Sequence, residues 1–144
     1  MPTADQLITS FKAPAWSEHS APFFEGLRNE EFRVQRCKPN GHISHPPGPV
    51  CKTCMTDELE WVTLSGEGEV YTYTTVHRPM HEEFRPDTPF TLVYVRLDGG
   101  PMIVSWLLEV DMETAEPIGM RVRAVYEKID DRVTLHRFVP VEAG

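Results

Sequence analysis

Three cysteines constrain this chain more than any other feature. Cys37, Cys51 and Cys54 stand in a segment that also holds Pro39, Gly41, Pro46, Pro47, Gly48 and Pro49. A stretch so rich in proline and glycine has too little apolar area to fold alone and needs a staple. Three cysteines cannot close a disulfide framework, and a four-cysteine zinc site is one short. Cys51-x-x-Cys54 nevertheless has the spacing of one zinc knuckle, in which two thiolates converge on a metal while turn amides donate to the sulfurs. The other half of such a site would be a second C-x-x-C. Here it reads Cys37-Lys38-Pro39-Asn40, with Asn40 in the place of the fourth cysteine. A neutral, hard amide oxygen is a poor zinc ligand, whereas imidazole is a good one. His42 and His45 follow closely. The expected centre is a structural zinc on Cys37, Cys51 and Cys54, with His42 as fourth ligand and His45 as the alternative. Three other readings stay open: a degenerate knuckle held by packing without metal, a Cys51–Cys54 disulfide, and a catalytic zinc with an open position. The last lacks an evident general base nearby.

Around this segment the chain is ordinary in composition. Its 144 residues, 40% hydrophobic and 25% charged, suit one globular domain, or one domain with a small appendage. Fourteen basic residues against 22 acidic give a net charge of −8, which argues against a general binder of nucleic-acid phosphates. No apolar run approaches the roughly 20 residues that a membrane span needs. Residues 1–12 have no charged region followed by an apolar core, so no secretory signal is read there. A cytoplasmic location is expected, with neither membrane nor nucleic acid as partner. No repeat, P-loop, dinucleotide fingerprint, nucleophile elbow or H-E-x-x-H motif is visible.

The hydrophobic pattern predicts a mainly β chain in three parts. Residues 1–31 read as a tail and a helix, residues 32–58 as a zinc ribbon, and residues 59–144 as a barrel. The tail is expected to dock through Phe11 and Trp16. The helix, at about 20–30, has Ser20 as N-cap, Pro22 in its first turn, and Phe23, Phe24 and Leu27 at helical spacing. Phe32, Val34 and Arg36 alternate with Arg33 and Gln35 into Cys37, the pattern of a short strand. Further strands are expected at 59–64, 70–76, 90–97, 102–108, 121–129 and 133–139. Ser65-Gly66-Glu67-Gly68 and Asp98-Gly99-Gly100 mark turns. Five or six strands without long helices suit a small Greek-key barrel of the OB type.

Two regions outside the cysteines hold groups with chemistry. Between Arg28 and Cys54, five basic residues face two acidic ones, a local +3 that can meet phosphates or an acidic partner. Inside the barrel region, residues 77–89 form the longest connection without a pattern, a length at which loops are often functional. His77, Arg78, His81, Phe84 and Arg85 make it a candidate partner or substrate loop, and His77 with Glu82 or Glu83 is a conceivable acid–base pair. A plain surface loop with scattered polar groups is the competing reading. No nucleophile, base and orienting group converge, so no catalytic residue is assigned. Trp61, Tyr71, Tyr73, Tyr94 and Trp106 fall on strands. Such aromatics can stack bases on an OB barrel, but the acidic balance favours a place in the core or against the helix.

The order of these parts resembles a known family. Phe23-Phe24-Glu25-Gly26-Leu27 leads to Val34-Gln35-Arg36-Cys37, then Gly41-His42, Pro46-Pro47 and Cys51-x-x-Cys54. Trp61 and Ser65-Gly66-Glu67-Gly68-Glu69-Val70-Tyr71-Thr72-Tyr73-Thr74 follow. Pro89-Phe90, Ile118-Gly119-Met120-Arg121-Val122 and Phe138-Val139-Pro140 complete the set. Over about residues 20–140 this is similar to the proteins with a rubredoxin-like zinc ribbon and an OB fold grouped as domain of unknown function thirty-five. That resemblance implies a partner of a thiolase-like enzyme, or of a hydratase or aldolase acting on acyl-CoA thioesters. The thiolase-like subunit would carry the reactive cysteine, and the small subunit would bridge or complete the assembly. Asn40 departs from the family pattern, which has a cysteine there. The expected function is a subunit, not catalytic by itself, of a thiolase-type acyltransferase complex, with structural zinc and a CoA thioester at the shared interface. A free-standing acyl-CoA binder and a nucleic-acid module are the alternatives.

Overall fold

A turn just before the helix prepares its start. The computed structural model describes residue 14 and residues 16–141. Phe11 lies outside the described residues. Helix α1, Ala21–Arg28, starts directly from a turn over residues 17–20, whose Ser17 carbonyl accepts the Ala21 N–H at 2.8 Å. Ser20 does not cap with its side chain. Its hydroxyl instead accepts the Ser17 N–H at 2.8 Å, because the turn already supplies the carbonyl that the first helical amide needs. Pro22 removes another orphan donor from the first turn. At the far end Glu30 takes a left-handed φ of 59°, and the Glu31 N–H returns to the Gly26 carbonyl at 2.8 Å, which stops the helix. Phe23, Gly26 and Leu27 form its buried face. A Cβ on Gly26 would stand 2.8 Å from the Arg33 side chain, so only glycine lets α1 lie this close to the next strand.

That strand, β1 (Phe32–Cys37), is the centre of a three-stranded sheet between β2 (Ile43–Ser44) and β3 (Leu59–Leu64). β3 was expected among the barrel strands and belongs instead to this sheet. It pairs antiparallel with the whole of β1, from Phe32 opposite Leu64 to Cys37 opposite Leu59. The pairing is specified twice. Val34 faces Val62, and Arg36 faces Glu60, whose carboxylate takes the Arg36 Nε–H at 2.8 Å.

The rest of the chain forms a closed five-stranded barrel, as the alternating pattern predicts. Its strands are β4 (Glu67–Val76), β5 (Phe90–Leu97), β6 (Met102–Leu107), β7 (Arg121–Lys128) and β8 (Thr134–Pro140), in the spatial order β4-β5-β6-β8-β7. Closure is completed by a β4–β7 pairing and by a short parallel contact of Leu107 with Phe138. Val70, Val93, Val95, Leu97, Ile103, Val122 and Phe138 fill it and are continuous with Phe23, Leu27, Phe32 and Val34. One apolar core therefore spans helix, ribbon sheet and barrel. Each of these large side chains contributes about 1.5–3 kcal/mol on full burial.

The strand aromatics divide. Trp61 packs against the core, and Trp106 stacks on Phe90 at 4.5 Å. Tyr71, Tyr73 and Tyr94 are 57%, 40% and 38% exposed, which overturns their expected core placement. Tyr94 lies on the face of β5 opposite buried Val93 and Val95, and Tyr71 sits at a bulge, between Val70 opposite Val95 and Thr72 opposite Tyr94. An extra residue there leaves Tyr71 unpaired and bends the strand. Tyr71 meets Tyr94 edge-on at 6.5 Å on the outer surface, beneath the Arg96 guanidinium. Among the described residues no helix is long and apolar enough to cross a membrane.

Candidate functional site

Two turns bring the sulfurs together, and they are built differently. In the second, the amides of Thr53 and Cys54 both point at the Cys51 sulfur at 3.4 Å, and the Cys51 N–H bonds to the Thr56 carbonyl at 2.8 Å. This is the knuckle that the C-x-x-C spacing predicts. In the first, Gly41 at φ 72° returns its N–H to the Cys37 carbonyl at 2.8 Å. The amide that reaches the Cys37 sulfur is that of His42, at 3.3 Å. The residue that closes the first turn onto the sulfur is thus His42 and not Asn40, which is exposed.

Cys37, His42, Cys51 and Cys54 converge, with one donor atom from each lying within 4.8 Å of all the others. His42 Nδ1 is 3.5 Å from the Cys37 sulfur and 3.8 Å from that of Cys51, and the Cys37 and Cys54 sulfurs are 3.8 Å apart. A tetrahedron with metal–sulfur bonds of about 2.3 Å and a metal–nitrogen bond of about 2.0–2.1 Å has edges of roughly 3.5–3.8 Å. The four donors thus have the chemistry and the spacing to hold a metal ion. The thiols are unbridged, so no Cys51–Cys54 disulfide is formed. Hydrogen bonds from the Cys54 amide, with help from Thr53, Cys54 and His42, pull the Cys51 thiol down to about 6. Cys54 and Cys51 in turn raise His42. A place that favours thiolate and holds a proton between sulfurs is one that a cation can occupy.

The loop between the turns is tied to the sheet by a buried amide. Gln35 accepts the Gly48 N–H at 3.0 Å and donates to the Gly48 carbonyl at 2.9 Å. His45, the alternative ligand, is not in the cluster. It faces Phe23 at 5.1 Å, in a junction where Phe23 also meets His136 at 6.1 Å and Phe32 meets His136 at 5.2 Å. Burial is the main force that lowers both imidazoles to about 4 and keeps them neutral. Sequence patterning gave no sign of this junction, because its members come from α1, β1, the ribbon loop and β8.

The candidate loop residues divide among three jobs. His77, Arg78 and Arg85 line one cavity with Pro79 and Thr88. His81 caps the short 3-10 helix Glu82–Asp87, its Nδ1 accepting the Glu83 N–H at 3.2 Å. Phe84 anchors that helix to the barrel, 6.2 Å from Trp106 and 6.3 Å from Phe90. An apolar groove lies on the outer face of β4, β5 and β6, between Thr72, Thr74, Leu92, Tyr94 and Val104. The groove had no signal in the sequence beyond tyrosines on strands.

Known proteins resemble this chain over most of its length. Residues 61–127 match the family model described as the ChsH2 C-terminal OB-fold domain. A DUF35 domain-containing scaffold protein of Methanocaldococcus jannaschii is 33% identical over 114 residues, 74% of this chain and 79% of that protein. A probable enoyl-CoA hydratase alpha subunit of Thermomonospora curvata is 32% identical over 127 residues, 88% of this chain. The chain spans only 39% of that subunit's length. Among solved structures, one chain of an Ltp2-ChsH2(DUF35) aldolase superposes with a TM-score of 0.77 at 32% identity, covering 88% of this chain and 98% of that one.

Proposed function

The chain belongs to the DUF35 family, and from that premise we propose that it is an accessory subunit of an enzyme that processes acyl-CoA thioesters. It would complete the assembly, and the partner would supply the reacting groups. The observation that carries this reading is the match to nearly the whole of one chain of the Ltp2-ChsH2(DUF35) aldolase. The likeness to a hydratase alpha subunit supports the same division of labour with a different partner chemistry. The partner we propose is a thiolase-like subunit bearing the reactive cysteine, with a CoA thioester bound where the two subunits meet. A hydratase-type partner is the second reading.

We assign zinc to Cys37, His42, Cys51 and Cys54. Three thiolates and one imidazole form a soft donor set suited to this ion. Four protein ligands leave no position for water, so the ion would fix the ribbon rather than activate a substrate. His42 is the fourth ligand in this assignment, and metal analysis of the purified chain should give one zinc per chain.

The function is tested by isolating the protein from its native lysate. Co-purification with an acyl-CoA enzyme subunit is the expected result. A monomer that brings down no such subunit, from lysate in which that enzyme is present, would sink the proposal. Retention of single-stranded DNA or RNA with a steep salt dependence would favour the nucleic-acid alternative instead.

A further inference from the structure

We infer that the cavity between the end of β4 and the 3-10 helix binds the phosphate groups of a CoA-type ligand. The inference rests on the acyl-CoA reading above and adds a place for the ligand on this chain. The cavity has a volume of about 500 Å³ and is lined by His77, Arg78, Pro79, Arg85 and Thr88. Two guanidiniums, an imidazole and a hydroxyl therefore share one concavity that no carboxylate lines. Planar guanidinium groups are the side chains best matched to phosphate, to which they donate in pairs.

The placement of these groups is built rather than incidental. The backbone of Arg85 is held by Thr88, whose Oγ1–H and N–H both bond to the Arg85 carbonyl, at 2.7 and 3.2 Å. His81 closes the other end of the same turn, and Phe84 pins it to Phe90 and Trp106. Arg78 forms no ion pair among the described residues. Arg85 has one, to Glu82 at 3.2 Å, but with side chains 72% and 86% exposed that pair is readily exchanged for a phosphate. Residues 77–89 also hold Glu82, Glu83 and Asp87, so the cationic character belongs to the lining of the cavity and not to the loop as a whole.

What lies beside the cavity narrows the ligand. Thr74, which lines the apolar groove, precedes His77 by three residues, about 10 Å along an extended chain. The groove continues across Leu92, Tyr94 and Val104. A cationic end joined to an apolar strip suits a ligand with phosphates at one end and a less polar arm at the other. A CoA thioester has that form, whereas free diphosphate would use the cationic end alone.

The test follows backbone amide shifts of the full chain during titration with inorganic pyrophosphate and, separately, with CoA. Pyrophosphate should move amides between His77 and Thr88. CoA should move these and, in addition, those around Tyr94 and Val104. The double variant Arg78→Gln, Arg85→Gln should weaken both ligands by roughly tenfold or more, as loss of two charge-assisted contacts implies. No shift at the loop with either ligand, or equal binding by the double variant, overturns the site and leaves co-purification with the partner enzyme as an independent question. Loss of the partner by the double variant, with binding of CoA and pyrophosphate unchanged, would identify the cavity as a protein contact and overturn the ligand site. Specific CoA shifts at the loop in a chain that captures no partner would keep the site and sink the subunit reading.

Discussion

The ribbon and the barrel solve the same folding problem by opposite means. The barrel closes on itself, so every strand has two neighbours and alternate residues fill one interior. The ribbon is a three-stranded sheet whose β2 is only two residues long, followed by a loop of prolines and glycines. Its apolar residues Phe32 and Val34 belong to the core that α1 and the barrel share, so the sheet has no separate core of its own. What remains is held by two turns around sulfur and by the Gln35 amide. Geometry alone stabilises one region, and donor chemistry stabilises the other. The difference teaches where each is vulnerable: the barrel to loss of volume, the ribbon to loss of a ligand.

The largest effect should come from Cys51→Ser, which removes the most buried thiol of the cluster. Structural zinc contributes on the order of 10–16 kcal/mol of binding energy in small zinc-dependent folds. The variant should lose the metal and the hydrogen-exchange protection of residues 37–56, while β5 and β6 keep theirs. Simultaneous loss in both regions would break the contrast. Phe138→Ala tests the opposite side. It empties a fully buried site in the barrel, for a loss of about 3–5 kcal/mol. Because the core is continuous, this variant should lower the unfolding midpoint of the ribbon as well as that of the barrel.

The junction between the regions should be sensitive to acid. His45 and His136 have folded values of about 4 against 6.5 in the unfolded chain. Between these values the unfolded state binds more protons, so stability rises with pH and is lost as pH falls from about 6.5 towards 4. The slope is at most about 1.4 kcal/mol per pH unit for each histidine. Denaturant midpoints measured across that window should flatten in His136→Phe, which removes one titrating group and keeps a ring. An unchanged slope would show that His136 is accessible to protons in the folded state. A smaller loss, about 1–3 kcal/mol, is expected for Gln35→Leu, which orphans both backbone groups of Gly48. It should appear as faster exchange at residues 46–50 with the barrel unaffected.

The same contrast explains what was legible beforehand. Barrel strands announce themselves through alternation, and their limits came within a residue or two for β5 and β6. Alternation gives a strand but not its partner, so β3 was grouped with the strands that follow it rather than with β1. A bulge is invisible to a period of two, so the unpaired place of Tyr71 has no sign in the sequence, and the acidic balance that favours a core place for Tyr71, Tyr73 and Tyr94 says nothing about which face of a strand each takes. In the ribbon, residue chemistry was the guide. It found the three sulfurs and His42 because few side chains bind soft metals. It could not separate His42 from His45, since that choice depends on a turn at Gly41 and on aromatic rings from α1 and β1. The loop residues stand together in the sequence as a run of polar and aromatic groups, but their separate places arise only when the 3-10 helix folds against Trp106.

The smallest expected effect bears on how the two halves of the metal cluster differ. If the first turn were a knuckle like the second, a cysteine at position 40 would complete it. The structure has instead a wider turn, closed by the bond from the Gly41 amide to the Cys37 carbonyl, with the His42 amide on the sulfur. Asn40 points to solvent. Asn40→Cys should therefore leave zinc stoichiometry and thermal midpoint unchanged, within the roughly 0.5 kcal/mol typical of surface positions. His42→Ala should weaken zinc retention against a chelator, and adding Asn40→Cys to it should not restore retention. Restoration would mean that the turn can tighten by two residues into a knuckle, and that the first half of the ribbon follows its ligands as the second half does. Failure to restore would mean that the Gly41 turn, and not the identity of residue 40, decides which side chain becomes the fourth ligand.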